Sequence, residues 1–315
     1  MKDLYFCSCD TNGGIYHYKI IGTKLEFCEK TELDRPMYMV IEDNKAHVIL
    51  REIESENNFG GILNFDIDDN GALVNPSEIV STKGVVPCHL TVVDNVPFVV
   101  NYISGNLAKI PEKTVTHCGK GPHPTRQTAP HTHFVTYMPD KKHLLCVDLG
   151  LDTIFCYDKD LNQVSTAKVP AGHGARHLAF SKDNKLLYCV NELASTVSVF
   201  KVEGTNFTLL NTYEALPDFH DKNTAAAIRI CEDYLYISNR GANTITKFKI
   251  SGEKLELISN FDCGGEGPRD FDIVDGLFFC TNEQTNDVTI LREKGNNLEL
   301  IEKIPMADPL CVVIR

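Results

Sequence analysis

One pattern recurs seven times along this chain: a short apolar run, a polar turn built on Asn, Asp or Gly, and a second apolar run. It reads LYFCSCDTNGGIYHYKI from Leu4, HVILREIESENNFGGILNFDI from His47, PFVVNYISGNLAKI from Pro97 and LLCVDLGLDTIFCYD from Leu144. LLYCVNELASTVSVFKV from Leu186, YLYISNRGANTITKFKI from Tyr234 and LFFCTNEQTNDVTILRE from Leu277 complete the set. The runs are short, rich in β-branched and aromatic residues and bounded by turn formers, as strands require. No apolar face persists at helical spacing. Most units are preceded by another strand-like run, such as PCHLTVV, HTHFVTY, ARHLAF or RDFDIV, and most are followed by a further one, such as KLEFC or NFTLLN. A chain of 315 residues shared by seven units allots 45 to each, the length of a four-stranded propeller blade, roughly 40–50 residues.

The pattern therefore predicts an all-β fold, a seven-bladed β-propeller of four-stranded antiparallel blades occupying residues 1–315 as a single domain. The first unit lacks a preceding strand, and the last residues, DPLCVVIR, form an orphan strand of the missing kind. The C-terminal strand is expected to join the N-terminal blade as its innermost member, which closes the ring and removes two free sheet edges. With no tryptophan in the chain, the Trp-Asp repeat signature is excluded.

The formal charge of −12 opposes binding to nucleic acid or to an anionic membrane, and no apolar run approaches the length of a membrane span. The twelve cysteines are scattered, with no CxxC pair. Cys146, Cys156, Cys189 and Cys280 fall inside strand runs, where a thiol packs as a small hydrophobe. Together with an N-terminus that opens directly into a strand pattern, this predicts a reducing, cytoplasmic setting.

Propeller geometry sorts the polar residues. With strands labelled A to D from the centre outward, antiparallel order puts the start of A, the end of B and the B–C turn on one face. The A–B turns, such as Lys182-Asp183-Asn184-Lys185, fall on the other and carry ordinary solvated polarity. The first face collects His131, His133, Arg176, His177 and Arg269 from A strands, and Asn101, Asp148, Asn191, Glu192, Asn239, Arg240, Asn282 and Glu283 from the ends of B strands. Basic and hydrogen-bonding groups from several blades converge there, which makes it the expected binding site. The recurring Asn or Asp at the end of strand B is read first as a turn device bonding its own backbone. His131 and His133, spaced i, i+2, are expected on one face of a strand. No third ligand of the right kind accompanies them, so an anion is favoured over a metal, and no cofactor is called for. Arg176, Arg240 and Arg269 could be ring-stabilising partners of Glu192 or Asp270. Three arginines aimed at one pocket favour a carboxylate or phosphate, held by bidentate forks.

The chain resembles the seven-bladed lactonase propeller family, which includes a bacterial type of 6-phosphogluconolactonase and a carboxymuconate cyclase. The similarity rests on GKGPHPTRQTAPHTHFV at 119–135, which contains Arg126, on DLGLDTIFCYD at 148–158 and on GARHLAFSKDNKLLYCVNELASTVSVF at 174–200. YLYISNRGANTI at 234–245, GEGPRDFDI at 265–273 and NYISGN at 101–106 extend it. The resemblance implies hydrolysis of a sugar lactone, 6-phosphoglucono-δ-lactone of the pentose phosphate pathway above all. It places catalysis at His131, His133, Arg176, Glu192 and Arg240, with His177, Arg269, Arg126, Asn101 and Asn239 as substrate-binding residues. The alternatives are a lactonising cycloisomerase of the carboxymuconate type and a non-catalytic propeller. Where Glu is usual in similar sequences this chain has Ala227, and Ala175 stands where Pro is common. The second unit carries an acidic stretch at 51–57. In the chemistry expected, Glu192 or a neutral His131 or His133 activates water and arginines stabilise the oxyanion or hold a phosphate. There is no GxSxG element for a serine acyl-enzyme.

Overall fold

The computed structural model describes residues 2–54, 57–219, 221–295 and 297–315. Its strands form seven antiparallel sheets, the blades of a propeller whose innermost strands contact one another in succession around a closed circle. Each predicted hairpin is the B–C pair of one blade, for example Leu186–Asn191 with Thr196–Glu203 in blade 5. In blade 1 the strand order is Pro309–Ile314, Lys2–Ser8, Gly14–Ile21, Lys24–Glu32. The C-terminal strand pairs with the N-terminal one, Cys7 facing Cys311, so the ring closes as the orphan strand predicted. Four A strands begin with proline, at Pro36, Pro87, Pro268 and Pro309, a strand position where the missing N–H does no harm.

The hydrophobic core lies between blades rather than inside any one. Blades 4 and 5, for instance, meet through Leu145, Val147, Leu178, Leu187, Cys189 and Phe200. The cysteines are all free, and most are buried in these layers. Blade 2 is irregular at its rim. Its fourth strand is replaced by two fragments, Leu73–Val74 and Val80–Ser81, both pairing with Gly61–Ile67. Of the acidic stretch at 51–57, Ser55 and Glu56 lie outside the described residues.

The asparagine that ends strand B does not bond its own backbone two residues on, as first read. It reaches across the hairpin to strand C. Asn191 donates to Thr196 and Ser198 at 2.9 Å each, Asn239 to Thr244 and Thr246 at 3.2 and 2.8 Å, and Asn282 to Asp287 and Thr289 at 2.9 and 3.1 Å. A side-chain amide has two N–H donors, so one residue ties the B–C turn to the neighbouring strand five and seven positions later. Replacing Asn282 with alanine is expected to cost about 1–3 kcal/mol, because Asp287 and Thr289 lose a buried partner. Urea unfolding will show it as a lower midpoint with turnover unchanged.

A second repeated device sets the shape of the channel mouth. In all seven blades the A–B ladder slips by one residue near the start of strand A. The residue passed over is Leu310, Met37, Cys88, His133, Arg176 and Arg269 in blades 1, 2, 3, 4, 5 and 7, and the slip spans Ala226 and Ala227 in blade 6. A bulge leaves its residue unpaired and re-aims the side chain. Six of these residues line the central cavities: Leu310, Met37, Cys88, His133, Arg176 and Arg269.

Candidate functional site

Glu192 is the centre of the site. It follows strand B of blade 5 and is held by its backbone on both sides. Its N–H donates to the Gly174 carbonyl at 2.7 Å, and its carbonyl accepts from Ala225 N–H of blade 6 at 3.1 Å. Gly174 has φ +70°, and a Cβ there would lie 2.6 Å from Leu193, so the close approach needs glycine. Glu192 is 3% exposed, and three guanidinium groups converge on its carboxylate. Arg126 reaches Oε1 at 2.5 Å, while Arg176 and Arg240 each reach Oε2 at 3.0 Å. Burial would raise its pKa, but Arg240, Arg176, His133 and Arg126 outweigh burial and hold it well below the usual carboxylate range, as a fixed anion.

The arginines come from different places. Arg176 is the bulged residue of blade 5 and is 2% exposed. Arg240 ends strand B of blade 6, the blade whose bulge carries only alanines. Arg126 rides on the loop between blades 3 and 4. That loop is pinned by buried Gln127, which donates to Leu149 O and to Asp152 at 2.8 Å each and accepts from His123 N–H at 3.0 Å. Arg269, the bulged residue of blade 7, pairs with Glu283 at 3.0 Å, not with Asp270, which is taken by Arg229 at 2.7 Å. Burial, and then Arg240, push the Arg176 pKa down to about 9. The site thus crowds cations more closely than its carboxylates neutralise, a condition that an anionic ligand relieves.

Arg126, His133, Glu192, Arg240 and Arg269 line one cavity of about 200 Å³ together with Tyr102, Cys88 and Arg51. Arg51 was missed in the sequence, although it directly follows strand B of blade 2 and the rule that picked Glu192 applies to it. Below this cavity lies a space of about 10 Å³ walled by His133, Arg176, His177 and Arg269, room for about one water. His177 therefore sits beneath the main cavity, its Nε2 3.2 Å from Arg176. Its pKa and that of His133 are driven well below the ordinary value by burial and then by Arg176, so both imidazoles are neutral at pH 7. Burial pushes the Cys88 thiol up to about 12, which disqualifies it as a nucleophile.

Three further expected residues stand outside the cavity wall. Asn101 and Asn239 are fully buried and do not line the cavity. Asn101 donates to Thr82 O and Asn106, and Asn239 is held in its hairpin, so neither amide is free to hold a substrate. His131 is half-buried beside the cavity rather than in its wall. It stacks on Tyr102 with ring centroids 4.4 Å apart, while His133 meets the same ring edge-on at 5.6 Å. Two polar atoms in the cavity-lining residues are buried without partners among the described residues, His133 Nδ1 and Arg240 Nε. Unpaired buried groups of this kind are costly and cluster where a ligand completes them.

Comparison with known proteins is consistent along the whole chain. Residues 3–314 match the family model described as lactonase, 7-bladed beta-propeller. The chain is 30% identical over 329 residues to 6-phosphogluconolactonase of Bacillus subtilis, across 95% of this chain and 93% of that protein. Among solved structures it superposes with a TM-score of 0.89 and 27% identity on a protein from Lactobacillus plantarum, over the full length of both. It superposes equally well, at 21% identity, on the periplasmic gluconolactonase of Pseudomonas aeruginosa, over 100% and 99% of the two chains. At that identity the likeness is one of fold.

Proposed function

Because the chain belongs to the seven-bladed β-propeller lactonase family, we propose that it hydrolyses a phosphorylated sugar lactone, 6-phosphoglucono-δ-lactone, to 6-phosphogluconate. The observation that carries this reading is the set of arginines, Arg51, Arg126, Arg240 and Arg269, that line one cavity of about 200 Å³ with Glu192. The volume lies below the roughly 300–1,000 Å³ of pockets for drug-sized ligands and suits a single sugar. The cationic excess suits a phosphate, in a protein whose net charge of −12 would otherwise repel one.

In this reading the neutral imidazole of His133 takes a proton from water as its oxygen attacks the lactone carbonyl. Arg240 stabilises the oxyanion, with Arg176 held behind it on Glu192. When the bond to the ring oxygen breaks, the imidazolium returns the proton to that oxygen. Burial and Arg176 make the imidazolium a strong acid and the free imidazole a weak base, so the second transfer is favoured and the first depends on the negative charge that develops beside the ring as water attacks. The new carboxylic acid then ionises, so one proton leaves per turnover. Glu192 positions the arginines, and Arg126 and Arg269, with Arg51 at the rim, hold the phosphate. The free cysteines support action in the reducing cytoplasm.

A pH-stat assay tests the proposal. The phosphorylated lactone is expected to be turned over with kcat/KM about 100-fold above glucono-δ-lactone, the worth of one or two charge-assisted hydrogen bonds of roughly 1.5–3 kcal/mol each. Loss of both lactones at the spontaneous rate only would overturn it.

A further inference from the structure

A cavity of about 650 Å³ lies on the opposite face from Glu192, in the wedge between blades 5 and 6. This is the size of a pocket for a small organic molecule. Its apolar wall is Leu186, Tyr188, Val202, Ile230 and Ile250. Tyr188 is fully buried, and its hydroxyl has no hydrogen-bond partner among the described residues.

The repeat explains why that hydroxyl is orphaned. Tyrosine occupies the same position of strand B in blades 1, 5 and 6, as Tyr5, Tyr188 and Tyr236. In the other two blades the next blade supplies an acceptor. Tyr5 donates to Gly71 O of blade 2 at 2.7 Å, and Tyr236 to Glu293 of blade 7 at 3.2 Å. The residue of blade 6 that corresponds to Glu293 is Ile250, counted along strand C from Thr244 and Asp287. It offers no acceptor, and the cavity stands beside it. A buried hydroxyl without a partner is costly, and here its two counterparts show what is missing.

We propose that this wedge is a second ligand site, for an uncharged molecule with an apolar body and one hydrogen-bond-accepting oxygen directed at Tyr188. The rim argues against an anion. It carries five carboxylates against three lysines, and the lysines are engaged, Lys182 with Asp233, Lys185 with Asp183 and Lys201 with Glu203. Burial pushes the Tyr188 pKa up to about 12, so the group stays a donor across the physiological range. The site owes nothing to the lactonase chemistry and stands or falls apart from it.

Nile red, an uncharged dye with a carbonyl acceptor, is the probe. The native protein is expected to bind it saturably at one site with a blue-shifted emission, and to bind the anionic dye anilinonaphthalene sulfonate at least ten-fold more weakly. Tyr188→Phe keeps the packing and removes the donor; it is expected to weaken Nile red about five-fold, the worth of one net hydrogen bond. Ile250→Glu rebuilds the pair found between Tyr236 and Glu293, and is expected to abolish binding while thermal stability holds. The rate of lactone hydrolysis should be unchanged in both. Absence of saturable Nile red binding, or binding that neither replacement alters, overturns the proposal.

Discussion

Replacing Glu192 with alanine is expected to lower kcat/KM about 10³-fold and to destabilise the fold by about 3–5 kcal/mol. The reason is local. Arg126, Arg176 and Arg240 lie within 3.0 Å of one carboxylate, and without it three cations converge with no counter-charge. Removing one partner of a buried ion pair is far more damaging than never having had the pair. For a chain of this length the loss corresponds to a fall in Tm of roughly 5–8 °C. Glu192→Gln keeps the shape but not the charge, and should lose activity nearly as far with a smaller loss of stability. Adding Arg240→Met to Glu192→Ala removes one of the stranded cations, so it should recover part of the stability and none of the activity. A Glu192→Ala protein with the native urea midpoint would show that the arginines do not need this anion. One that turns over lactone normally would remove Glu192 from the mechanism.

Acid should unfold this protein steeply, beginning near pH 6. His89, His133 and His177 form a buried column on the innermost strands of blades 3, 4 and 5, with the His177 ring centroid 5.3 Å from His133 and 5.5 Å from His89. All three are depressed, His89 to about 3, by burial first; Arg176 adds to it at all three, and Arg229 at His89 and His177. The sign follows from which state binds protons. In the unfolded chain a histidine titrates near 6.5, and in the folded chain these three stay neutral well below that. Above pH 7 both states are neutral and the column has no pH dependence. As pH falls below 6.5 the unfolded state takes up as many as three protons that the folded state refuses. Stability is then lost at up to about 4 kcal/mol per pH unit. Buried Asp270, whose pKa is raised by burial, works in the opposite sense and trims that slope. Glu192 adds to the loss only at lower pH, through the carboxylate range. Urea midpoints measured from pH 8 to pH 5 should be flat and then fall, and His89→Gln should reduce the slope by about a third. A midpoint unchanged between pH 7 and pH 5 would contradict the column's neutrality.

How much of this was readable in the sequence follows a physical line. The blade count, the closing strand and the face that gathers the charged groups all derive from strand period and antiparallel order, which are properties of the backbone. They put Arg176, Glu192 and Arg240 on one mouth from the sequence alone. Side-chain reach was another matter. Asn101 and Asn239 stand at the correct end of strand B, but an amide beside a hairpin finds strand C before it finds the channel. His131 and His133 were expected to share a face by the period-two rule, and a bulge at His133 suspends that rule just where it was applied. Arg51 was legible and overlooked, hidden by the acidic residues that follow it. The size of the cavity could not be read at all, since it depends on how closely seven sheets pack.

The bulges have a consequence for how such a molecule can change. Six of the blades present one side chain to the hub from a residue that the A–B ladder skips, so exchanging that side chain breaks no backbone ladder bond. At present blades 4, 5 and 7 fill these places with His133, Arg176 and Arg269, and blades 1, 2 and 3 with Leu310, Met37 and Cys88. The wheel can therefore acquire a new chemistry one spoke at a time while its rim and bearings stay as they are. Libraries confined to these few positions are the economical place to look for altered substrates.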